Sequence, residues 1–496
     1  MKKNNIQNGF INLMLNQYVI FIFLFFILLL VMSNGVMGSD EGMWSYMGRV
    51  WIENNIPPYV GAVDNKTPGI FELFAISHML FGVNYYFARV LGVMAILFSS
   101  LTVYLIGKEL HTHLAGIFSM VIFGLTMQWI LLDGPLTAQT ETFMVLFSTL
   151  SFYFVIKGKD CLKWRFWIFL AGFSMGLAIA FKQIGLTTAI AMFIFFIVYG
   201  ASGLTSKDKL FGIFLLSLGI TIATFFSLVP LLVSNVSLKE YINGSWLMLL
   251  NPGSSAPIQQ HLHNFFHVFL NTRIVVFYPF FGLLICQSDL IKNRYFIGLL
   301  IWMVFDFIGV NGAGTYYGHQ IKQLIPSVSI IIGILLSNLL LKHVMEKSEI
   351  SKYASNLLIF LIVLLFPYIT LILNGYSAVT GGYSAATGDL DKRKELGLWL
   401  RENTDEKDYV YVDGCAGPAP ILSYSGRVSP SKYFNTCFVS RDAERQQLLS
   451  DFKVKPPLFY VKASDTMGTK IDGFIKDNYE LLHTKQEYKV FKRKSK

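Results

Sequence analysis

Charged side chains are sparse in this chain, and several fall where apolar runs end. Asp40 and Glu41 follow closely on the apolar run "YVIFIFLFFILLLVM", and Lys66 lies one loop later in "YVGAVDNKTPG". Arg89, Glu141, Lys182, His319 and Lys322 stand near the ends of further apolar runs. Ionisable groups at membrane depth are expensive and, as a rule, functional. A carboxylate that can take a proton, facing several cations that can hold an anion, suits a site for an anionic lipid headgroup. Plainer readings exist for each residue. Asp40 and Glu41 suit the first turn of a helix, where acids cap free N–H groups and meet the helix dipole. Glu141 fits the same description, and Lys182, after "AIAF", has the long stem of a residue that snorkels to the interface.

These residues are positioned by a membrane protein. Of 496 residues, 53% are hydrophobic, 44 are Phe and only 15% are charged, and the mean hydropathy is +0.50. A span takes about 20 mostly apolar residues, and eleven candidates begin near residues 17, 86, 114, 138, 166, 184, 210, 270, 294, 321 and 355. The fifth and sixth are separated only by "KQIG". The first run is read as a retained helix, because no small-residue cleavage site precedes Asp40.

Loop Lys and Arg residues collect in alternate connections (Lys2 and Lys3; Lys108; Lys157, Lys159, Lys163 and Arg165; Lys207 and Lys209; Lys292 and Arg294; Lys342, Lys347 and Lys352). The positive-inside rule makes those connections and the N-terminus cytoplasmic in a multi-pass cell-membrane protein. Loops 38–85 and 234–269, and everything after about 376, then face outward. The expected division is a membrane domain over 1–375 and an extracytoplasmic domain over 376–496. All the ionisable candidates fall at the outer level.

In loop 38–85, Met43, Trp44, Met47, Val50 and Trp51 recur at helical spacing until "NNIPP" breaks the pattern, predicting an amphipathic helix in the outer interface. A second such helix is expected from about Phe71 to Phe81. The last 110 or so residues alternate short apolar runs ("YVYVDG", "PLFYVKA") with helix-like stretches ("KRKELGLWLREN", "DAERQQLLSDF", "TKIDGFIKDNY"). That pattern reads as a small α/β domain. The tail "KVFKRKSK" reads as a solvated end, and the +10 net charge as a product of topology that gives no reason to expect a nucleic-acid partner. No Walker loop, Rossmann fingerprint or long repeat is present, so any energy must arrive with the substrate.

Cys415 and Cys437 both fall in the outer domain and are candidates for a disulfide, or for two buried thiols. His261, His263 and His267 in "HLHNFFH" have a spacing that permits a metal. No carboxylate accompanies them, and the preferred reading is a polar outer loop with no certain cofactor. "NGS" at 243–245 is assigned no role.

Taken together, the pattern resembles a family, the polyprenyl-phosphate-dependent glycosyltransferases of the C superfamily (GT-C). Within it the similarity is to protein O-mannosyltransferases and the aminoarabinose transferases of lipid A, families 39 and 83. The carrying elements are the Asp-Glu pair after the first span, the aromatic helix, "DNKTPG" like the family's "D.K.P", and "YYFARVLG". Further on come "TAQTETFMVLFSTLSFY", "FLAGFSMGLAIAFKQ", "YYGHQIKQLIPSVSI" and the closing outer α/β domain. The resemblance implies a GT-C fold and transfer of a sugar from a polyprenyl phosphate to an acceptor hydroxyl on the outer face, with inversion. Asp40 then corresponds to the family's first carboxylate, the general base, with Glu41 beside it. Lys66 matches the lysine expected to pair with the donor phosphate, and Glu141 a second acidic position that orients the acceptor or shares the base role. Lys182, Arg89, His319 and Lys322 are expected phosphate or sugar contacts. One departure stands out: the aminoarabinose transferases carry a basic residue shortly after the acidic pair, where this chain has Gly42 and Met43, which weighs against a lipid A acceptor.

The competing class is a transporter or flippase for polyprenyl-linked or other amphipathic substrates. Transporters commonly show an internal repeat and charges at the midplane; here no repeat is evident and the charges gather at one face.

Overall fold

A computed structural model describes residues 16–32, 37–83, 85–127, 138–250, 258–271, 287–312, 314, 318–346, 382–415, 419–462, 469–485 and 488–495. The chain is mainly helical. The apolar run before the acidic pair is α1 (Gln17–Met32), followed by α2 (Ser39–Asn54), α3 (Gly69–Phe81), α4 (Tyr85–Leu110), α5 (His113–Thr126), α6 (Thr140–Gly158), α7 (Trp164–Phe181), α8 (Gly185–Phe195), α9 (Ser206–Val233), α10 (Ile258–Asn271), α11 (Arg294–Asn311) and α12 (Ile325–Glu346). A 3₁₀ helix over Gly318–Leu324 leads directly into α12.

Among the described residues, five helical segments are long and apolar enough to cross a membrane: α4, α7, α9, α11 and His319–Leu341. Helices α5 and α8 are shorter and apolar. The expected span near 355 lies outside the described residues, as does most of the one near 270. The break expected at "KQIG" is present, since α7 ends at Phe181 and α8 begins at Gly185.

Close helix approach is built on small residues. A Cβ on Gly172 of α7 would lie 2.2 Å from the Leu216 carbonyl oxygen of α9, and one on Gly219 of α9 would lie 2.5 Å from that of Phe169. In a bilayer, where lipid tails are as apolar as the helices, such backbone contact is a main source of association. Deeper in the bundle, Trp302 of α11 stacks on Phe152 of α6 with ring centroids 3.7 Å apart.

Helix α2 ends where the sequence predicted, with Asn55 in the left-handed region at φ 53°. Its burial differs from the expectation. Residues 41–50 are all buried, because the face that the spacing left for water is covered by the C-terminal unit. Helix α3 keeps an open apolar stripe of Ile76, Met79, Leu80 and Phe81.

The C-terminal unit comprises α13 (Gly382–Glu402), β1 (Val410–Asp413), α14 (Ala419–Ser425), α15 (Asp442–Val454), β2 (Phe459–Lys462), α16 (Thr469–Asn478), β3 (Tyr479–Lys485) and β4 (Tyr488–Arg493). The sheet order is β1-β2-β4-β3, with β1 and β2 parallel and the other pairings antiparallel. Thus the basic tail is not a solvated end. Residues 488–493 form a central strand in which Val490 is fully buried and Lys489 and Lys492 point outward. Val490 and Phe491 lie on opposite faces of the strand, so each face of the sheet here carries an apolar contact. Cys415 and Cys437 are joined in a disulfide.

This unit grips α2. Arg49 donates to the carbonyls of Gly426 and Arg427 at 3.1 and 2.7 Å, and the Tyr46 hydroxyl accepts from the Ser429 N–H at 2.9 Å. Phe434 packs on Tyr46 with centroids 4.7 Å apart. At Gly42 a Cβ would lie 2.5 Å from the Pro420 nitrogen, so the missing side chain after the acidic pair makes room for α14.

Candidate active site

The acidic pair opens α2, and its two members face different neighbours because consecutive helical residues point about 100° apart. Glu41 is fully buried. Its Oε1 accepts from Arg89 Nε at 2.9 Å and the Ala138 N–H at 3.0 Å, and its Oε2 from Arg89 Nη2 at 2.6 Å and the Gly38 N–H at 3.1 Å. Four donors occupy the four lone-pair directions of a carboxylate. The capping reading therefore holds for Glu41, with a bidentate ion pair added to it.

Asp40 is half-buried and has a different setting. Burial raises its pKa above the usual carboxylate value, while His319 and Lys66 pull it back and Asp64 and Glu141 push it up. These named groups come from three other segments: the loop before α3, the start of α6 and the 3₁₀ helix.

Lys66 sits in that loop. Its Nζ donates to Asn65 Oδ1 at 2.8 Å and lies 3.8 Å from Asp64 Oδ1. Burial alone would lower the Lys66 pKa, but Asp64, Asp40 and Glu141 outweigh it and raise it, so the amine stays cationic. Asp64, which the sequence reading passed over, is fully buried and accepts from Trp44 Nε1 of α2 at 2.8 Å. It ties the loop to the helix bearing Asp40. Its position two residues before the lysine in "DNK" was the available signal.

Glu141 opens α6 and gathers cations. It pairs with Lys182, accepts from Thr140 Oγ1 at 2.8 Å, and has His319 Nε2 3.7 Å away. Lys182 sits in the break between α7 and α8, where the chain turns. The neighbouring Gln183 donates to the carbonyls of Asn65 and Ser245 at 2.6 and 2.8 Å, binding this break to the lysine loop. Lys322 is fully buried and donates to Gln139 Oε1 at 2.5 Å, with Thr142 Oγ1 at 3.5 Å.

The expected residues thus form two groups at one end of the bundle. Asp40, Lys66, Glu141, Lys182 and His319 are linked by direct contact or by electrostatic reach. Arg89 is committed to Glu41, and Lys322 to the turn before α6. In chemical terms the first group offers a carboxylate whose proton affinity is raised, next to cations that can hold a phosphate. Among the described residues, no group of three His, Cys, Asp or Glu side chains is placed to hold a metal. His261 and His263 lie on α10, and the side chain of His267 is outside the described set.

The family model described as dolichyl-phosphate-mannose-protein mannosyltransferase matches residues 65–227. ArnT from Cupriavidus metallidurans, in its crystal structure bound to undecaprenyl phosphate, superposes with a TM-score of 0.65 at 12% identity, over 96% of this chain and 97% of that one. The archaeal oligosaccharyltransferase AglB from Archaeoglobus fulgidus, in complex with an inhibitory peptide and a dolichol-phosphate, gives a TM-score of 0.56 at 13% identity over 89% and 69%. No curated protein matches by sequence. The chain shares the fold of these two proteins. Residues 65–227, from the lysine loop into α9, carry the sequence pattern of that mannosyltransferase family model.

Proposed function

We propose that this chain is a membrane glycosyltransferase that moves a sugar from a polyprenyl phosphate to an acceptor hydroxyl on the outer face of the cell membrane. The observation that carries the proposal is the half-buried Asp40 within electrostatic reach of Lys66 and His319, with Lys182 one contact further on Glu141. The distribution of loop charges supports an outer position for the face covered by the α/β unit, and the donor class follows the lipid phosphates bound by ArnT and AglB.

The acceptor oxygen attacks the anomeric carbon and its proton passes to Asp40. The bond from that carbon to the phosphate oxygen breaks, and its electron pair leaves with the phosphate. Lys66, a compact and fully charged amine, neutralises the charge that develops there, with Lys182 and His319 behind it. Glu141 holds the latter two in place. Glu41 and Arg89 position the first turn of α2, so that Asp40 acts alone as base. A covalent route needs a second free carboxylate; the neighbouring Glu41 is fully occupied, so a single displacement with inversion is favoured.

Release of free polyprenyl phosphate from a panel of polyprenyl-phosphate sugars, supplied with membrane acceptors, tests this reading. Asp40→Asn is expected to lower turnover by roughly 10²- to 10⁴-fold, the usual weight of a general base, while donor binding persists. If wild type and variant both bind lipid and neither releases phosphate, the transporter reading replaces this one. Proton NMR of the product's anomeric signal should show inversion, and retention would refute the single displacement.

A further inference from the structure

Asp306 is a buried acid of the bundle that has no part in the site above. It is on α11, fully buried, in a membrane-spanning segment, where an acid is expensive to keep. Its Oδ1 accepts from Thr188 Oγ1 of α8 at 2.6 Å and from Gln323 Nε2 of the 3₁₀ helix at 3.2 Å. Gln323 Nε2 also reaches Thr188 Oγ1 at 2.8 Å and Thr187 Oγ1 at 3.0 Å. The amide nitrogen of Gln323 thus joins the 3₁₀ helix to both α8 and α11. The approach needs Gly309 of α11, where a Cβ would lie 2.4 Å from Thr187 Oγ1 and 3.0 Å from Gln323 Oε1.

The cluster is not an efficient way to stabilise a bundle. Asp306 Oδ2 and Gln323 Oε1 are buried without a hydrogen-bond partner, and a partly satisfied buried polar group is inferior to a well-packed apolar one. What it does supply is register. Gln323 is adjacent to Lys322 and four residues from His319, and Thr187 and Thr188 follow the break that carries Lys182. Joined through Asp306, the two short cation-bearing segments are held at a fixed height relative to each other.

We propose that Asp306, Gln323 and Thr188 form a positioning latch that sets His319 and Lys182 at the spacing needed to hold the donor phosphate. The proposal rests on the transferase reading for its consequence, but the latch itself can be measured without substrate. Hydrogen–deuterium exchange of residues 318–324 in the purified full-length protein is expected to be at least tenfold faster in Asp306→Leu and Gln323→Leu than in wild type. Asp306→Asn keeps the accepting Oδ1 and should remain within threefold. In turnover assays the Leu variants should raise KM for the polyprenyl-phosphate sugar at least tenfold and leave acceptor KM within twofold, with Asp306→Asn close to wild type. A merely structural role would move both KM values together or neither. Thr188→Val, which removes one hydroxyl at constant volume, gives the same readouts if a Leu variant does not fold. Unchanged exchange in the variants would overturn the latch. Faster exchange with an unchanged donor KM would overturn its role in the site. If wild type turns over no such donor, the transferase reading fails, while the exchange measurement still decides the latch.

Discussion

Asp40 and Glu41 are neighbours of nearly identical chemistry, and the structure separates their tasks by what each faces. Glu41 and Arg89 form a buried pair, and removing one partner of such a pair strands the other charge. Arg89→Leu should therefore lower stability by about 3–5 kcal/mol, read as a fall in the thermal unfolding midpoint in detergent. The double variant Arg89→Leu with Glu41→Gln should recover part of that loss. Asp40 is tuned by its surroundings. In the proposed role of base it must be unprotonated, so turnover is expected to rise with pH through its pKa, and burial places that limb above the ordinary carboxylate value. Lys66 holds the value down. Lys66→Met should move the acid limb of the pH–rate profile to higher pH and weaken donor use together; a limb that stays in place would separate Lys66 from Asp40.

At the scale of elements, the site depends on three interruptions of regular helix: the turn into α2, the break between α7 and α8, and the 3₁₀ helix before α12. Each places a charged residue at the end of the bundle without unwinding a long span. The helices that carry them are held close by glycines. Gly172→Val would drive a branched side chain into the α9 backbone, where even a Cβ comes within 2.2 Å of the Leu216 oxygen. Overpacking of this kind costs roughly 1–3 kcal/mol, measurable by thermal unfolding. Gly473 in α16 is the contrast, with nothing within 4 Å of its Cβ position. Gly473→Ala should leave the protein unchanged or stabilise it by about 0.4–1 kcal/mol. Equal effects at the two sites would argue against backbone packing as the source of the α7–α9 contact.

For the molecule as a whole, the central fact is that α2 is enclosed. The membrane bundle holds it through Glu41, the loop before α3 through Trp44, and the α/β unit through Tyr46, Arg49 and Gly42. The disulfide between Cys415 and Cys437 supports this grip, because the segment it anchors includes Phe434, which packs on Tyr46. The Thr436 N–H donates to the Gly414 carbonyl at 3.2 Å alongside it. Closing a loop of this size is worth about 3 kcal/mol in the unfolded-chain account. Cys437→Ser should lower the unfolding midpoint and reduce turnover, since α2 then loses part of its outer support. A stable variant with full activity would show that the bundle alone positions Asp40.

The sequence by itself determined the membrane class, the break at "KQIG", the two helices of the first loop, and most of the α/β unit, because apolar periodicity and turn residues are local signals. It also drew attention to Asp40, Lys66, Glu141, Lys182 and His319, which the fold brings together at one end of the bundle, since charges are rare at membrane depth and each stood out. Tertiary structure alone decided which of those charges pair with one another. Glu41 and Arg89 are far apart in sequence, as are Glu141 and Lys182, and nothing local marks them as partners. Asp306 and Asp64 were passed over for the same reason, their meaning lying in the segments they join. The strand at 488–493 looks like a tail because a stretch this rich in basic residues shows its two packed apolar positions, Val490 and Phe491, only once the neighbouring elements cover them. Packing decides which charged groups are neutralised in pairs and which remain available to a substrate, and that assignment is set by distances no spacing in the chain encodes.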